Sequence, residues 1–255
     1  MLLAIDIGNT DVVFGVHNRQ EWIHQFRIPS DASRRSSDFE AKLRLFFLEN
    51  NLKIGEFNRA IISSVVPDLK SVLKEMVQQM LGIEPTMIGP EIYEHLKMEI
   101  PSPYEIGTDL VCNATYAYYT YQKNCVIVDF GTALTFTVVS GEGKILGVSI
   151  APGLKTAVKS LFSNTAQLPE VPLEMPSSAI GKNTVHAIQA GILWGYVGMV
   201  REMIMQIKKE VGEDCIVLAT GGLSSILTPL RDEFDEVDKL LTLNGLKIIA
   251  EIVHT

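Results

Sequence analysis

Three cysteines in 255 residues, Cys112, Cys125 and Cys215, are too few and too scattered for a disulfide framework. Each lies in an apolar segment, which reads as reduced core cysteine in a cytoplasmic protein. The five histidines show no spacing that would ligate a metal. No apolar run reaches the roughly 18 residues of a membrane span. The N-terminal apolar stretch has no basic segment before it and is interrupted by Asp6, so no signal peptide is expected. Basic residues are outnumbered, 22 Lys and Arg against 30 Asp and Glu. That balance argues against a nucleic-acid or anionic-membrane surface. It leaves room for a phosphate site built from main-chain amides, which needs no lysine.

What is present is 47% hydrophobic residues, enough for one large domain or two smaller ones. Residues 2 to 7 and 12 to 16 read as a hairpin closed by Gly8-Asn9-Thr10-Asp11, with a third strand at 22 to 28. Phe39, Leu43, Phe46 and Phe47 recur at helical spacing within 37 to 51, where Ser37 and Glu40 suggest a capping box. A buried strand at 59 to 66 stops at Pro67, and a helix over 68 to 81 ends at Gly82. A loop at 99 to 109 leads into a helix over 109 to 121.

The opening pattern then returns. "LAIDIGNTDVVFGV" aligns with "VIVDFGTALTFTVV", so that Asp6 meets Asp129 and Gly8 meets Gly131. Each copy opens a succession of three strands and a helix, which points to two related mixed α/β halves with a cleft between them. Further on, residues 153 to 163 read as helix, 167 to 178 as a proline-rich loop, and 183 to 210 as one long helix. Gly191, Gly195 and Gly198 form a smooth stripe on that helix, at about 1 kcal/mol each relative to alanine. A close backbone approach by another helix or by a ligand would offset this. A buried strand at 215 to 222 ends in Gly221-Gly222, and a last helix covers 243 to 253.

In the Asp-x-Gly-x-Thr repeats, glycine lets a polyphosphate approach the turn while short polar side chains and amides face its oxygens. A carboxylate at a strand end suits a metal ion or its water. For one copy an Asx-type turn explains the residues equally well; two copies in matched strands favour the phosphate reading. Asp109, at a loop-to-helix junction, is on spacing alone equally an N-cap.

The segments "DIGNT", "SVVP" (64 to 67), "EIGTD" (105 to 109), "DFGTA" (129 to 133), "APGL" (151 to 154), "NTAQLP" (164 to 169), "IGKNT" (180 to 184), "QAG" (189 to 191), "ATGGLS" (219 to 224) and "LTLNGL" (241 to 246) carry a resemblance. In order and spacing the chain is similar to the type III pantothenate kinases, from about residue 2 to 248. The resemblance implies two ribonuclease-H-like (actin-like ATPase) domains, 1 to 115 and 116 to 255, with ATP and Mg²⁺ in the cleft. It implies that Asp6, Gly8, Asn9 and Thr10 form the first phosphate loop, with Asp6 near Mg²⁺. Gly131 and Thr132 would form the second loop, Asp129 would ligate K⁺ or NH₄⁺, and Gly221 and Gly222 would line the adenosine pocket. Asp109 would be the general base toward pantothenate, bound with Gly107 and Thr108 and with Thr184 from the neighbouring subunit of a homodimer. The implied reaction is ATP-dependent phosphorylation of pantothenate to 4'-phosphopantothenate, the first step of coenzyme A synthesis.

Four features depart from the family pattern, among them Leu134 where threonine or a small residue is usual and Leu-Gly-Val at 146 to 148 for a usual Leu-Gly-Gly. Leu110 stands where an arginine is usual for the pantothenate carboxylate, and Ile100 where tyrosine is common. Leucine has no donor, so a charge-assisted pair is missing there. Three readings stay open at this point: another cation such as Lys155, Lys159 or Lys182 takes the carboxylate, the acceptor is a different small alcohol, or the chain is a weak or inactive paralogue with an accessory nucleotide-binding role. A sugar kinase of the same superfamily is a further alternative, disfavoured by the short chain.

Overall fold

The structure is a computed structural model and describes residues 1–165 and 168–254. Residues 166 and 167, within the NTAQLP segment and at the head of the expected proline-rich loop, lie outside the described residues, as does 255. The chain divides into two units, Met1–Tyr116 with Leu241–Thr255, and Ala117–Leu240.

In the first unit, β1 (Leu2–Ile7), β2 (Asp11–His17) and β3 (Trp22–Pro29) form an antiparallel meander. On the other side of β1, β4 (Arg59–Ser64) and the two-residue β5 (Thr86–Met87) add in parallel, for the order β3-β2-β1-β4-β5. Side chains alternate across a strand. Leu3, Ile5 and Ile7 share a core with Phe39, Leu43 and Phe47 of α1 (Ser36–Glu49) and Leu69, Leu73 and Met76 of α2 (Pro67–Leu81). Asp6, one residue out of phase with Ile5 and Ile7, therefore projects from the opposite face.

Helix α1 starts differently from expectation. Arg35 is its N-cap, and its N–H donates to the Asp38 carboxylate at 2.9 Å. Glu40 pairs instead with Arg44 one turn on, at 2.7 Å. The local charge pair and the Asp38 carboxylate outcompete the Ser37 and Glu40 box. Pro67 opens α2 and Gly82, at φ +68°, ends it, as its position after the apolar run predicts. A short α3 (Pro90–Tyr93) precedes α4 (Thr108–Tyr121).

The second unit repeats the plan. β6 (Cys125–Phe130), β7 (Ala133–Val139) and β8 (Ile145–Pro152) are antiparallel, while β9 (Ile216–Thr220) and β10 (Glu236–Val237) add to β6 in parallel, in the order β10-β9-β6-β7-β8. Each repeated aspartate thus lies on the central strand of its own five-stranded sheet. The second connector is one residue shorter: Ile7 pairs with Val12, but Phe130 with Leu134. Helices α5 (Leu154–Ser163), α6 (Thr184–Gln189) and α7 (Gly195–Val211) complete this unit.

Two expectations are revised. The long helix over 183 to 210 is broken by a π-helical turn, Ala190–Trp194, placed where Gly191 and Gly195 weaken the α ladder. The last helix, α8 (Leu241–Val253), groups with the first unit rather than with 116 to 255, and packs on β1 and β4. The three cysteines are free and buried, as expected.

Candidate active site

In the first unit the site is built where β1, β4 and α4 converge. Asp6 lies beside Ser63 of β4 in the parallel register. The Thr108 hydroxyl accepts the Ser64 N–H at 3.0 Å and shares a hydrogen bond with the Ser63 hydroxyl at 2.9 Å. These bonds pin the N-terminus of α4 to the end of β4. Thr108 is also one of the residues that the resemblance sets against the substrate.

The next residue, Asp109, is half-buried, and its Oδ1 accepts the Leu110 N–H at 2.8 Å. A side chain at Gly107 would meet that same oxygen at 2.5 Å, so glycine is what lets the carboxylate take this position. Burial pushes the Asp109 carboxyl above the usual carboxylate range, against the opposing pull of backbone N–H donors. Cys112, one turn on, is fully buried. Its thiol is held well above its ordinary pKa by burial, then by the charges of Asp6 and Asp109. Asp6, beside Ser63, and Asp109, next to Thr108, are linked through the Ser63–Thr108 hydrogen bond although over a hundred positions separate them in sequence. Leu110 is buried, so the position where the family usually carries arginine faces inward.

The chemistry of this donor set bears on a divalent ion. Among the described residues no three His, Cys, Asp or Glu side chains gather as a metal cage. One strand-end carboxylate, that of Asp6, suits Mg²⁺, which keeps several waters and takes phosphate oxygens.

In the second unit, Asp129 is enclosed by two glycine turns. A Cβ at Gly131 would lie 3.6 Å from Asp129 Oδ1, and one at Gly221 only 2.7 Å from it and from the Phe130 backbone. Gly221 also has φ +92°. The loop of Gly131 and Thr132 is supported from behind: the Thr132 carbonyl accepts the Gly153 N–H at 3.0 Å and the Thr156 hydroxyl at 2.8 Å. A side chain at Gly153 would clash with the Gly131 and Thr132 carbonyls. Gly153 and Thr156 had no assigned role from sequence; the signal was a glycine set between a strand end and a helix start in "APGL".

One expectation about the loops is corrected. The N–H groups of Gly8 and Gly131 close their own turns, onto the Asp11 carbonyl at 3.0 Å and the Ala133 carbonyl at 3.1 Å. These two glycines supply room rather than donors. Asn9 and Thr10 are exposed at the tip of the first loop. Thr184 is exposed at the start of α6, where the Asn183 side chain accepts the His186 N–H at 2.9 Å. It belongs to the second unit, whereas Gly107, Thr108 and Asp109 belong to the first.

Gly221 and Gly222 separate cleanly by mutation. Gly221→Ala should cost about 2–4 kcal/mol through its left-handed φ and the 2.7 Å contacts. Gly222 has nothing within 4 Å of a built Cβ, so Gly222→Ala should stay within about 0.5 kcal/mol in thermal unfolding. If Gly222 lines the adenosine pocket, that variant raises the KM for ATP while its melting temperature stays put.

Residues 2–206 match the family model described as type III pantothenate kinase. The chain is 45% identical to the type III pantothenate kinase of Treponema pallidum (strain Nichols), over 100% of this chain and 95% of that one. It is 40% identical to the one from Moorella thermoacetica, covering 98% and 99%. A solved structure of a Baf family protein from Campylobacter jejuni has a TM-score of 0.59 and covers 98% of this chain and 97% of its own, at 20% identity, a likeness of fold alone.

Proposed function

This chain belongs to the type III pantothenate kinase family, on the two-domain α/β fold of the actin-like ATPases, and we propose that it uses Asp109 as the general base for phosphorylating pantothenate with ATP, the first step of coenzyme A synthesis. The observation that carries this reading is the bonding of Thr108 to Ser63 and Ser64, which ties the helix start that holds Asp109 to the strand beside Asp6.

Phosphoryl transfer demands positioning and charge neutralisation more than covalent chemistry. Asp109 accepts the proton of the pantothenate hydroxyl, and its raised pKa makes it a better base than an exposed aspartate. Asp6 holds Mg²⁺, whose contribution is to neutralise charge on the phosphates. Gly8, Asn9 and Thr10 in one unit, and Gly131 and Thr132 in the other, give the phosphates an approach without side-chain bulk. Gly221 and Gly222 serve the adenosine, and Gly107, Thr108 and Thr184 the pantothenate. We assign Asp129, whose carboxylate oxygen lies against the glycine turns of Gly131 and Gly221, to a monovalent cation, K⁺ or NH₄⁺.

A second copy of the chain is the partner we assign to the glycine stripe. Gly191, Gly195 and Gly198 are exposed, and a Cβ at any of them meets nothing within 4 Å among the described residues. The helix or ligand expected to pack there is therefore not supplied by the described part of this chain. Light scattering should give about twice the 28.2 kDa of one chain, and Gly195→Lys should shift the mass to that of the monomer. No helix among the described residues is long and apolar enough to cross a membrane. Three free thiols fit a reducing cytoplasm.

ADP release, coupled and followed with and without pantothenate in K⁺ buffer, tests the activity. Release that depends on both pantothenate and K⁺ is the expected outcome. Nucleotide binding without pantothenate-dependent release would return the chain to the accessory reading.

A further inference from the structure

The third strand of each meander ends in a proline. Ile28-Pro29-Ser30 leaves β3 and Ala151-Pro152-Gly153 leaves β8, both edge strands of their sheets. The registers match as well. Pro29 stands opposite Asp11 and Pro152 opposite Ala133, each the first residue of the second strand of its meander. Proline cannot donate to the ladder, and the residue after it ties the strand to the loop. The Ser30 N–H donates to the Thr10 carbonyl at 2.8 Å, as the Gly153 N–H does to the Thr132 carbonyl.

The hydroxyl that backs each loop comes from a different place. In the second unit it is Thr156, on the same Thr132 carbonyl. In the first it is Ser30 itself, half-buried, whose Oγ donates to the Gly8 carbonyl. Ser30 thus holds the carbonyls of both Gly8 and Thr10, while the Gly8 N–H closes the turn onto Asp11. A trans peptide unit is planar, so its N–H points opposite to its C=O. With the Gly8 carbonyl turned to Ser30, the Asn9 N–H points away from Ser30. Asn9 is exposed at the loop tip.

We propose that Ser30 is a positioning residue for the first phosphate loop: by holding the Gly8 carbonyl, it presents the Asn9 N–H to a phosphate oxygen of ATP. The hydroxyl proton is engaged with that carbonyl, so the effect of Ser30 on the nucleotide passes through the main chain. A glycine-bearing loop held only by its own turn must be ordered when ATP binds. The two Ser30 bonds order it beforehand, which favours binding without a new contact to the ligand. This inference rests on the reading of residues 8 to 10 as a phosphate loop.

The test compares the wild-type chain with Ser30→Ala, Ser30→Thr and Asn9→Asp, by ATP titration, coupled ADP release and thermal unfolding. Ser30→Ala should weaken ATP binding and raise the KM for ATP about fivefold, the scale of one hydrogen bond. Its kcat at saturating ATP and its KM for pantothenate should stay within about twofold, since the bond serves nucleotide binding alone. Ser30→Thr keeps the hydroxyl and should bring ATP affinity back to within about twofold of the wild type. A bond with only a structural role would lower the melting temperature and leave the ATP constants alone. That result overturns the proposal, as does a fall in kcat with the KM for ATP unchanged, or a Ser30→Thr that binds ATP as weakly as Ser30→Ala. Asn9→Asp sets a carboxylate at the loop tip and should weaken ATP at least about tenfold by repelling the phosphates. If it binds ATP like the wild type, the phosphate-loop reading fails first; if it weakens ATP while Ser30→Ala is normal, only the role of Ser30 fails.

Discussion

Asp109→Asn will lower turnover by about 10²–10⁴-fold while leaving ATP affinity nearly unchanged. The amide keeps the shape of the side chain and its bond to the Leu110 N–H, but cannot take a proton from the alcohol. The coupled ADP assay reads the first effect, and nucleotide titration the second. Stability should move the other way. Burial raises the carboxyl pKa in the folded chain, so over the pH range between the unfolded and folded values the native state holds more protons than the unfolded one. Its favourable contribution is complete below the unfolded value, near 4, and is lost as pH rises through the folded value. At neutral pH the buried charge is a burden, and Asp109→Asn should melt at or slightly above the wild-type temperature. The same shift places the acid limb of the wild-type pH–rate profile above the ordinary carboxylate range. A limb near pH 4, or a variant that melts clearly lower, contradicts this account of the site.

Gly245→Ala should be among the most damaging single substitutions in the first unit. A Cβ there would lie 2.0 Å from the Cys112 carbonyl oxygen and 2.5 Å from its carbonyl carbon. Those atoms are main chain in the middle of α4 and cannot swing aside as a flexible side chain would. Helix α8, whose Leu241, Leu246 and Ile249 are fully buried, must then shift away from α4. The Thr242 hydroxyl also loses its bond to Asn113 at 2.8 Å. Overpacking of this kind costs at least about 3 kcal/mol, or roughly 10 °C in melting temperature. Because α4 carries Asp109, activity should fall with it. Thermal unfolding and the ADP assay on one preparation check both, and a variant that melts like the wild type would show that the two helices are not held this closely.

Hydropathy periodicity alone was enough for the longer elements. The strands of both meanders, α1, α2, α4 and α7 follow from alternating or helical spacing with glycine and proline at the ends. The duplicated Asp-x-Gly turn was equally legible, since one local motif in two copies demands the same strand–turn–strand geometry twice. Elements of two to four residues, β5, β10 and α3, leave too short a pattern to read, and the capping of α1 turned on which neighbour won a local competition. The π turn at Ala190–Trp194 has no signal beyond its flanking glycines.

Contacts remote along the chain were a different matter. The duplicated motif pointed to Asp6 and Asp129, each at a strand end before a glycine turn, whereas Asp109 read equally as an N-cap until the family resemblance singled it out. Nothing local says that Thr108 is tied to Ser63 and Ser64 beside Asp6, that Gly153 backs the Thr132 loop, or that α8 returns to lie against α4. Such pairings are settled by which apolar faces find each other when the chain condenses, a free energy summed over many distant residues, and no stretch of a dozen amino acids contains it.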